Sequence, residues 1–156
     1  MMKILKVLLI AGMVLAFSSL SFAEQVKRSA SISDMKGTVQ VRTTQGKAWV
    51  EAKIGMTLSE GDMLRTMANS WVVLNVDGHA ETATVELKEN GQMKMALLLE
   101  NKAASSQSTL LDLAMGEVLI KAKKLHSEKS KFEVKTPTSI VAVRGTTFSV
   151  AVKSVE

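Results

Sequence analysis

The run Trp71-Val72-Val73-Leu74-Asn75-Val76-Asp77-Gly78, with Thr82-Ala83-Thr84-Val85-Glu86-Leu87 close behind it, decides the fold class. Its first six residues are mostly β-branched or aromatic and form a dense stretch too short for a helix. Asp77 and Gly78 both tolerate positive φ, which is the chemistry of a hairpin turn. On the far side Thr82, Thr84 and Glu86 alternate with Ala83, Val85 and Leu87, so a period of two separates a polar face from an apolar one. The stretch therefore reads as an antiparallel hairpin.

The same rhythm extends both ways. Upstream, Ala30 and Ile32 alternate with serines, Val39 and Val41 with Gln40 and Arg42, and Thr44-Gln45-Gly46-Lys47 forms a turn before Trp49. Downstream, Glu89-Asn90-Gly91 turns the chain, and alternation places Met93, Met95, Leu97 and Leu99 on one face opposite Gln92 and Lys94. Asn101 to Thr109 reads as an exposed loop with room for a short helix. A turn at Met115-Gly116 then precedes the alternation of Val118 and Ile120 with Glu117 and Lys121. The expectation is an all-β chain of about ten short strands, arranged as a jelly-roll-like β-sandwich. A short β-solenoid is the alternative, although no repeat of fixed length is visible.

Near the end, Thr136-Pro137-Thr138-Ser139-Ile140-Val141-Ala142-Val143-Arg144-Gly145-Thr146-Thr147-Phe148-Ser149-Val150 reads as a buried strand, a kink and a second strand. A strand of Ile140 to Val143 with two apolar faces predicts burial on both sides, and Arg144 at its end predicts a guanidinium that must be paired. Gly145 predicts a bulge or a close backbone approach.

The first residues set the compartment. Lys3 and Lys6, the apolar stretch Val7 to Phe17 and the ending Ser21-Phe22-Ala23 make a secretory signal peptide over residues 1–23, cleaved after Ala23, with one domain over 24–156. Gly12 and the serines after Phe17 leave the stretch short of a membrane span, so no span is expected once the leader is removed. The chain has no cysteine, which excludes disulfides, catalytic thiols and the lipidated cysteine of a lipoprotein. A periplasmic or secreted protein is expected. Its charge is +5 over 156 residues, partly from the leader's lysines, which is too mild to argue for nucleic acid.

In chain order, Gly37-Thr38-Val39-Gln40-Val41, Trp49 with Gly55 and Leu58, Gly61-Asp62-Met63-Leu64-Arg65-Thr66, Asn69-Ser70 and Asp77-Gly78 are similar to motifs of the FecR domain. So are Leu110 to Val118 around Gly116, and the closing Thr136-Pro137 and Val143-Arg144-Gly145-Thr146-Thr147-Phe148. The FecR domain is the periplasmic module of regulators that relay signals from outer-membrane receptors. The resemblance implies a β-sandwich of jelly-roll type that binds or signals without catalysis. The anti-sigma segment, membrane helix and receptor-contacting region of such regulators have no match here, so it implies the bare domain and not the whole relay.

The candidate site residues follow from these motifs. Gly61, Asp62, Arg65, Thr66, Arg144, Gly145, Thr146 and Phe148 form either a partner surface or a charged knot, in which Asp62 pairs with Arg65 or Arg144. Trp49, beside a turn, is the candidate for stacking on a sugar ring, whereas Trp71 within its apolar run is assigned to the core. Met93 and Met95, with Met63 and Met67, have the donor chemistry of a Cu(I) site, but alternation makes the first pair core residues, so no metal or other cofactor is expected. His79 and His126 lack the setting of a catalytic base, and carboxylates such as Glu60 and Asp62 are not distinguished from turn formers. The expected partner is an envelope protein; a glycan or peptidoglycan is the alternative.

Overall fold

In the computed structural model, residues 24–78, 82–124 and 127–153 are described. The leader expected over 1–23 and both histidines lie outside the described residues. The chain forms β1 (Gln25–Lys27), β2 (Ala30–Lys36), β3 (Val39–Arg42), β4 (Val50–Glu51), β5 (Thr57–Leu58), β6 (Met63–Thr66) and β7 (Trp71–Val76). There follow β8 (Ala83–Leu87), β9 (Gln92–Asn101), β10 (Ser106–Ala122), β11 (Lys131–Lys135), β12 (Ile140–Val143) and β13 (Thr147–Val152). The all-β class is as expected, with thirteen strands among the described residues rather than about ten. Their backbone of order is β4-β3-β6-β9-β10-β8-β7-β2-β5, with β1 added on β9, β11 and β13 on β10, and β12 on β11.

The architecture is set by one long hairpin. β8 and β9 run consecutively along the same partner, β10: Ala83 to Leu87 face Ala122 to Val118, and Gln92 to Asn101 face Met115 to Ser106. Midway the ribbon folds over, at residues 88–91 on one limb and at Gly116 on the other. Gly116 has φ +90, and a Cβ there would lie 2.5 Å from the Cα of Gly91, so glycine is required both by conformation and by space. The expected turn at Met115-Gly116 is therefore a bend inside a continuous strand, because β10 has partners on both sides of the bend.

The bend divides the sheet into two halves that share β10. Val39, Val41, Leu64, Met93, Leu111 and Leu113 point inward from one half; Ile32, Leu58, Leu74, Val85 and Ile120 point inward from the other, and all join one buried cluster. The sheet thus curls around a single core. β10 and β11 form a parallel ladder, and every other ladder among the described residues is antiparallel, which sets the fold apart from a solenoid.

Two further chain crossings meet the same line. β2 passes into β3 through Gly37-Thr38, and β6 into β7 through 67–70. The crossings are stitched to one another: Thr38 N donates to Ser70 Oγ (2.9 Å), Met67 N to the Thr38 carbonyl (3.1 Å) and Asn90 N to the Met67 carbonyl (3.2 Å). Thr66 is the central tie. Its N–H donates to the Gly91 carbonyl at 2.9 Å, and its hydroxyl accepts from Gly91 N at 2.9 Å while donating to the Lys88 carbonyl at 2.5 Å.

Four local expectations are corrected. β9 and β10 extend into the stretch read as a loop, leaving only 102–105 as the turn, since two facing strands satisfy backbone groups that a loop would leave to water. A register shift beside Ala96 turns Leu98 inward, leaving Leu97 and Leu99 half-buried rather than aligned with Met95. β12 is not buried on both faces: Ile140 is 62% exposed and Ala142 is exposed, because this strand lies at the sheet margin and only Val143 reaches the core. Trp71 is not a core residue, since Val72, Leu74 and Val76 take the inward positions of β7 and alternation sends the indole outward.

Gly116→Ala adds a disallowed φ and a clash with backbone, so it should cost at least ~3 kcal/mol in urea unfolding or prevent soluble expression. Gly145→Ala, with φ +65 and a Lys124 Cα 3.3 Å from the added carbon, should cost only ~1–2 kcal/mol.

Candidate interaction site

The Gly61-to-Thr66 motif is a structural device centred on Asp62. This carboxylate is buried and accepts two backbone amides, from Ser59 at 2.8 Å and from Thr44 at 3.0 Å. Its own carbonyl accepts from Met95 N, and Gly61 N donates back to the Met95 carbonyl, so the turn before β6 is fastened to β9. One oxygen is used inside the turn and the other by the β3–β4 connection. The ion pair expected between Asp62 and Arg65 or Arg144 is consequently not formed, because preplaced amides satisfy a buried carboxylate without desolvating a guanidinium.

The two arginines lie elsewhere. Arg65 points outward from β6 and donates through Nε and Nη2 to Gln40 Oε1, at 2.8 and 2.6 Å. Its guanidinium carbon lies 4.2 Å from the centroid of Trp49, and that of Arg42 lies 4.9 Å from it. Trp49 is therefore half-buried under two cations, and its ring is not free to stack on a sugar. Arg144 is an exposed surface residue, 3.6 Å from the equally solvated Glu128, because the margin position of β12 leaves its end in water. The expected need for a buried partner at Arg144 does not arise.

Gly145 makes the kink between β12 and β13 at φ +65, and the Thr146 carbonyl accepts from Ala122 N at 3.2 Å, so the chain re-enters the sheet directly after it. Phe148 lies opposite Ile120 and is half-buried against the core. Thr136 closes the β11–β12 hairpin: its hydroxyl accepts from Ser139 N at 3.0 Å, and its N–H donates to the Ser139 carbonyl at 2.8 Å. Met93 and Met95 are fully buried, whereas Met63 faces outward beside Lys94, so these thioethers do not converge.

Among the described residues, the ion pair most removed from solvent joins Arg28 to Asp77, and sequence reading passed over it. Arg28 places its Nε 2.9 and 3.0 Å from the two carboxylate oxygens of Asp77, and its Nη2 bonds Asp77 and, at 3.0 Å, Thr82. Its Nη1 reaches Thr109 Oγ1 at 2.9 Å and the Ser108 carbonyl at 3.3 Å. Arg28 thereby ties the segment after β1 to the β7–β8 turn and to β10. Nothing local distinguishes it from Lys27, and Asp77 was legible only as a turn former.

Toward the end of the chain, strand edges remain open among the described residues. Among the described residues β12 pairs only with β11, and β13 only with β10. β11 covers β10 from Ser108 to Asp112 and β13 covers it from Gly116 to Lys121, so a gap separates them. A groove of about 440 Å³ occupies that gap, with Ala114 and Met115 at its base, Pro137 on one wall, and Val150 and Val152 on the other.

These features describe a β module whose buried charged groups, Arg28 and Asp62, are spent on architecture and whose accessible features are strand edges and grooves. Residues 50–156 match the model of the family described as "FecR protein", and the chain belongs to the FecR family. This is a regulatory, non-enzymatic family associated with the cell envelope and with periplasmic signalling. Comparison with curated proteins and with solved structures found no match.

Asp77→Asn preserves a residue that tolerates the φ of +61 but strips Arg28 of its counter-charge, so it should lower stability by ~3 kcal/mol. Asp62→Asn should cost ~2 kcal/mol through loss of a charged acceptor, and Arg144→Ala less than ~0.5 kcal/mol, all read by urea unfolding.

Proposed function

We propose that this chain works as an exported, non-catalytic interaction module of the bacterial envelope, formed by residues 24–156, and that it receives an extended segment of an envelope protein along its last two strands. The observation that carries this reading is the open margin of β12 and β13. An unpaired strand presents a row of N–H and C=O groups that another chain can complete, and natural proteins usually blunt such edges with lysine, proline, bulges or very short strands. β4 and β5 at the ends of the main strand order have two residues each, and so are blunted by length. β12 reads Ile-Val-Ala-Val and β13 Thr-Phe-Ser-Val-Ala-Val, with no charge and no proline in either.

The side chains support strand addition. Ile140 and Met115 are 62% and 44% exposed and both lie toward the gap between β11 and β13, offering apolar contact beside the backbone groups. The turn at Thr136–Ser139 is held by its own hydrogen bonds, so the edge is already shaped before a partner arrives. A role in extracytoplasmic signalling follows from family membership, with the domain supplying the contact and another protein carrying the signal onward.

A photo-crosslinking residue at position 140 should join the protein to one envelope protein reproducibly in cells, and Ala142→Lys should suppress that adduct at least tenfold. The control is Ile54, 63% exposed in the turn between β4 and β5. Equal capture from positions 54 and 140, or insensitivity to Ala142→Lys, would refute the edge assignment.

A further inference from the structure

We infer that the groove along the outside of the fold line, floored by Trp71, is a binding site for a neutral oligosaccharide. The groove, about 630 Å³ and open to solvent, is lined by Lys36, Asn69, Trp71, Lys88, Glu89, Glu117 and Lys153, with the end of β13 as its far wall. Register explains the grouping. Lys36 lies directly opposite Trp71 on the neighbouring strand, Lys88 N donates to the Glu117 carbonyl, and Glu117 lies opposite Ala151. One outward row thus crosses the second half of the sheet with an indole near its centre.

The chemistry selects the ligand class. A pyranose presents an apolar C–H face, which packs on an aromatic ring, and a rim of hydroxyls that both donate and accept. Trp71 is half-buried, and among the described residues no cation lies over its ring, in contrast to Trp49. Around it stand an amide, carboxylates and ammonium groups, which together meet hydroxyls in either role. The signs are balanced, because Lys36, Lys88 and Lys153 stand beside Glu89, Glu117 and Glu86, the last paired with Lys88 at 2.5 Å, so no net charge selects a polyanion. The frame is fixed: Glu89 accepts from Asn69 N at 2.6 Å, Glu117 accepts from Ser149 Oγ at 2.7 Å, and Gly116 anchors the floor. A site built on the hydrogen-bonded fold line needs little reordering to bind.

The test uses the Trp49→Phe protein, in which Trp71 is the sole tryptophan. Titration with chitotetraose and cellotetraose should give a saturable change in indole emission with a midpoint below ~10 mM for at least one of them. Calorimetry with the same sugars should lose that binding in Trp71→Ala and weaken it about tenfold in the surface variant Glu117→Ala, which keeps the fold readable should Trp71→Ala not fold. No saturable change with either sugar, or binding unaffected by Glu117→Ala, would overturn the assignment. So would tighter binding of heparin than of both neutral sugars at 150 mM salt, the range in which surface charge is already screened over about 8 Å. The strand-edge crosslink at position 140 is indifferent to all of these results.

Discussion

The close approach of Gly116 to Gly91 is the constraint on which the rest of the molecule depends. A two-stranded ribbon carrying Met93 and Leu113 on one part and Val85 and Ile120 on another cannot bury both sets while straight. Folding the ribbon upon itself solves this, and the fold line must be thin, because a side chain at position 116 would occupy the place of the opposing backbone. Thr66 then holds the bend by bonding three backbone groups of 88–91, and the crossings at 37–38 and 67–70 attach to the same seam. A curled sheet with one core follows from this single crease, since β2, β3, β6 and β7 can only follow the ribbon around it.

The charged residues are consequences of that plan. Asp62 fixes the approach to β6, whose last residue is Thr66, and so acts on the crease through local geometry. Arg28 and Asp77 act at the opposite end of the hairpins, where β1, the β7–β8 turn and β10 would otherwise leave polar groups facing one another without partners. Both carboxylates are satisfied within hydrogen-bond distance, which is the condition under which buried charge persists. The arginines that remain outside, Arg42 and Arg65, cover Trp49 and extend the sheet surface.

How much of this was legible in sequence depended on whether a signal was local. Period-two alternation and the turns at Asp77-Gly78 and Glu89-Asn90-Gly91 gave the all-β class and most inward faces, since each is decided by neighbours a few residues apart. Gly116 was visible as a special position, yet whether it ends a strand or bends one is settled by β8, β9, β11 and β13, which are distant in sequence. The same limit hid Arg28, whose partners lie 49 to 81 residues away. Trp71 differs, because alternation with Val72, Leu74 and Val76 already pointed it outward, and the density of apolar neighbours masked that reading. Burial of Ile140 to Val143 was inferred from composition, which cannot separate a central strand from a bare margin.

That ambiguity between core and margin bears on function. A sequence of four apolar residues is consistent with a fully enclosed strand or with an exposed edge, and the second case is the one found in β12. Leaving such an edge uncharged exposes the protein to self-association, a cost that natural sheets avoid with lysine or proline at little expense in stability. Here the gap between β11 and β13 also prevents the two strands from protecting each other, and it is created by the bend at Gly116, where β10 changes its partners. One crease therefore produces both accessible features, the groove over Trp71 on the outer surface and the split margin beside Met115. The two features adjoin at the end of β13, where Ala151 and Val152 border both, so the crease places the groove and the margin on one continuous surface.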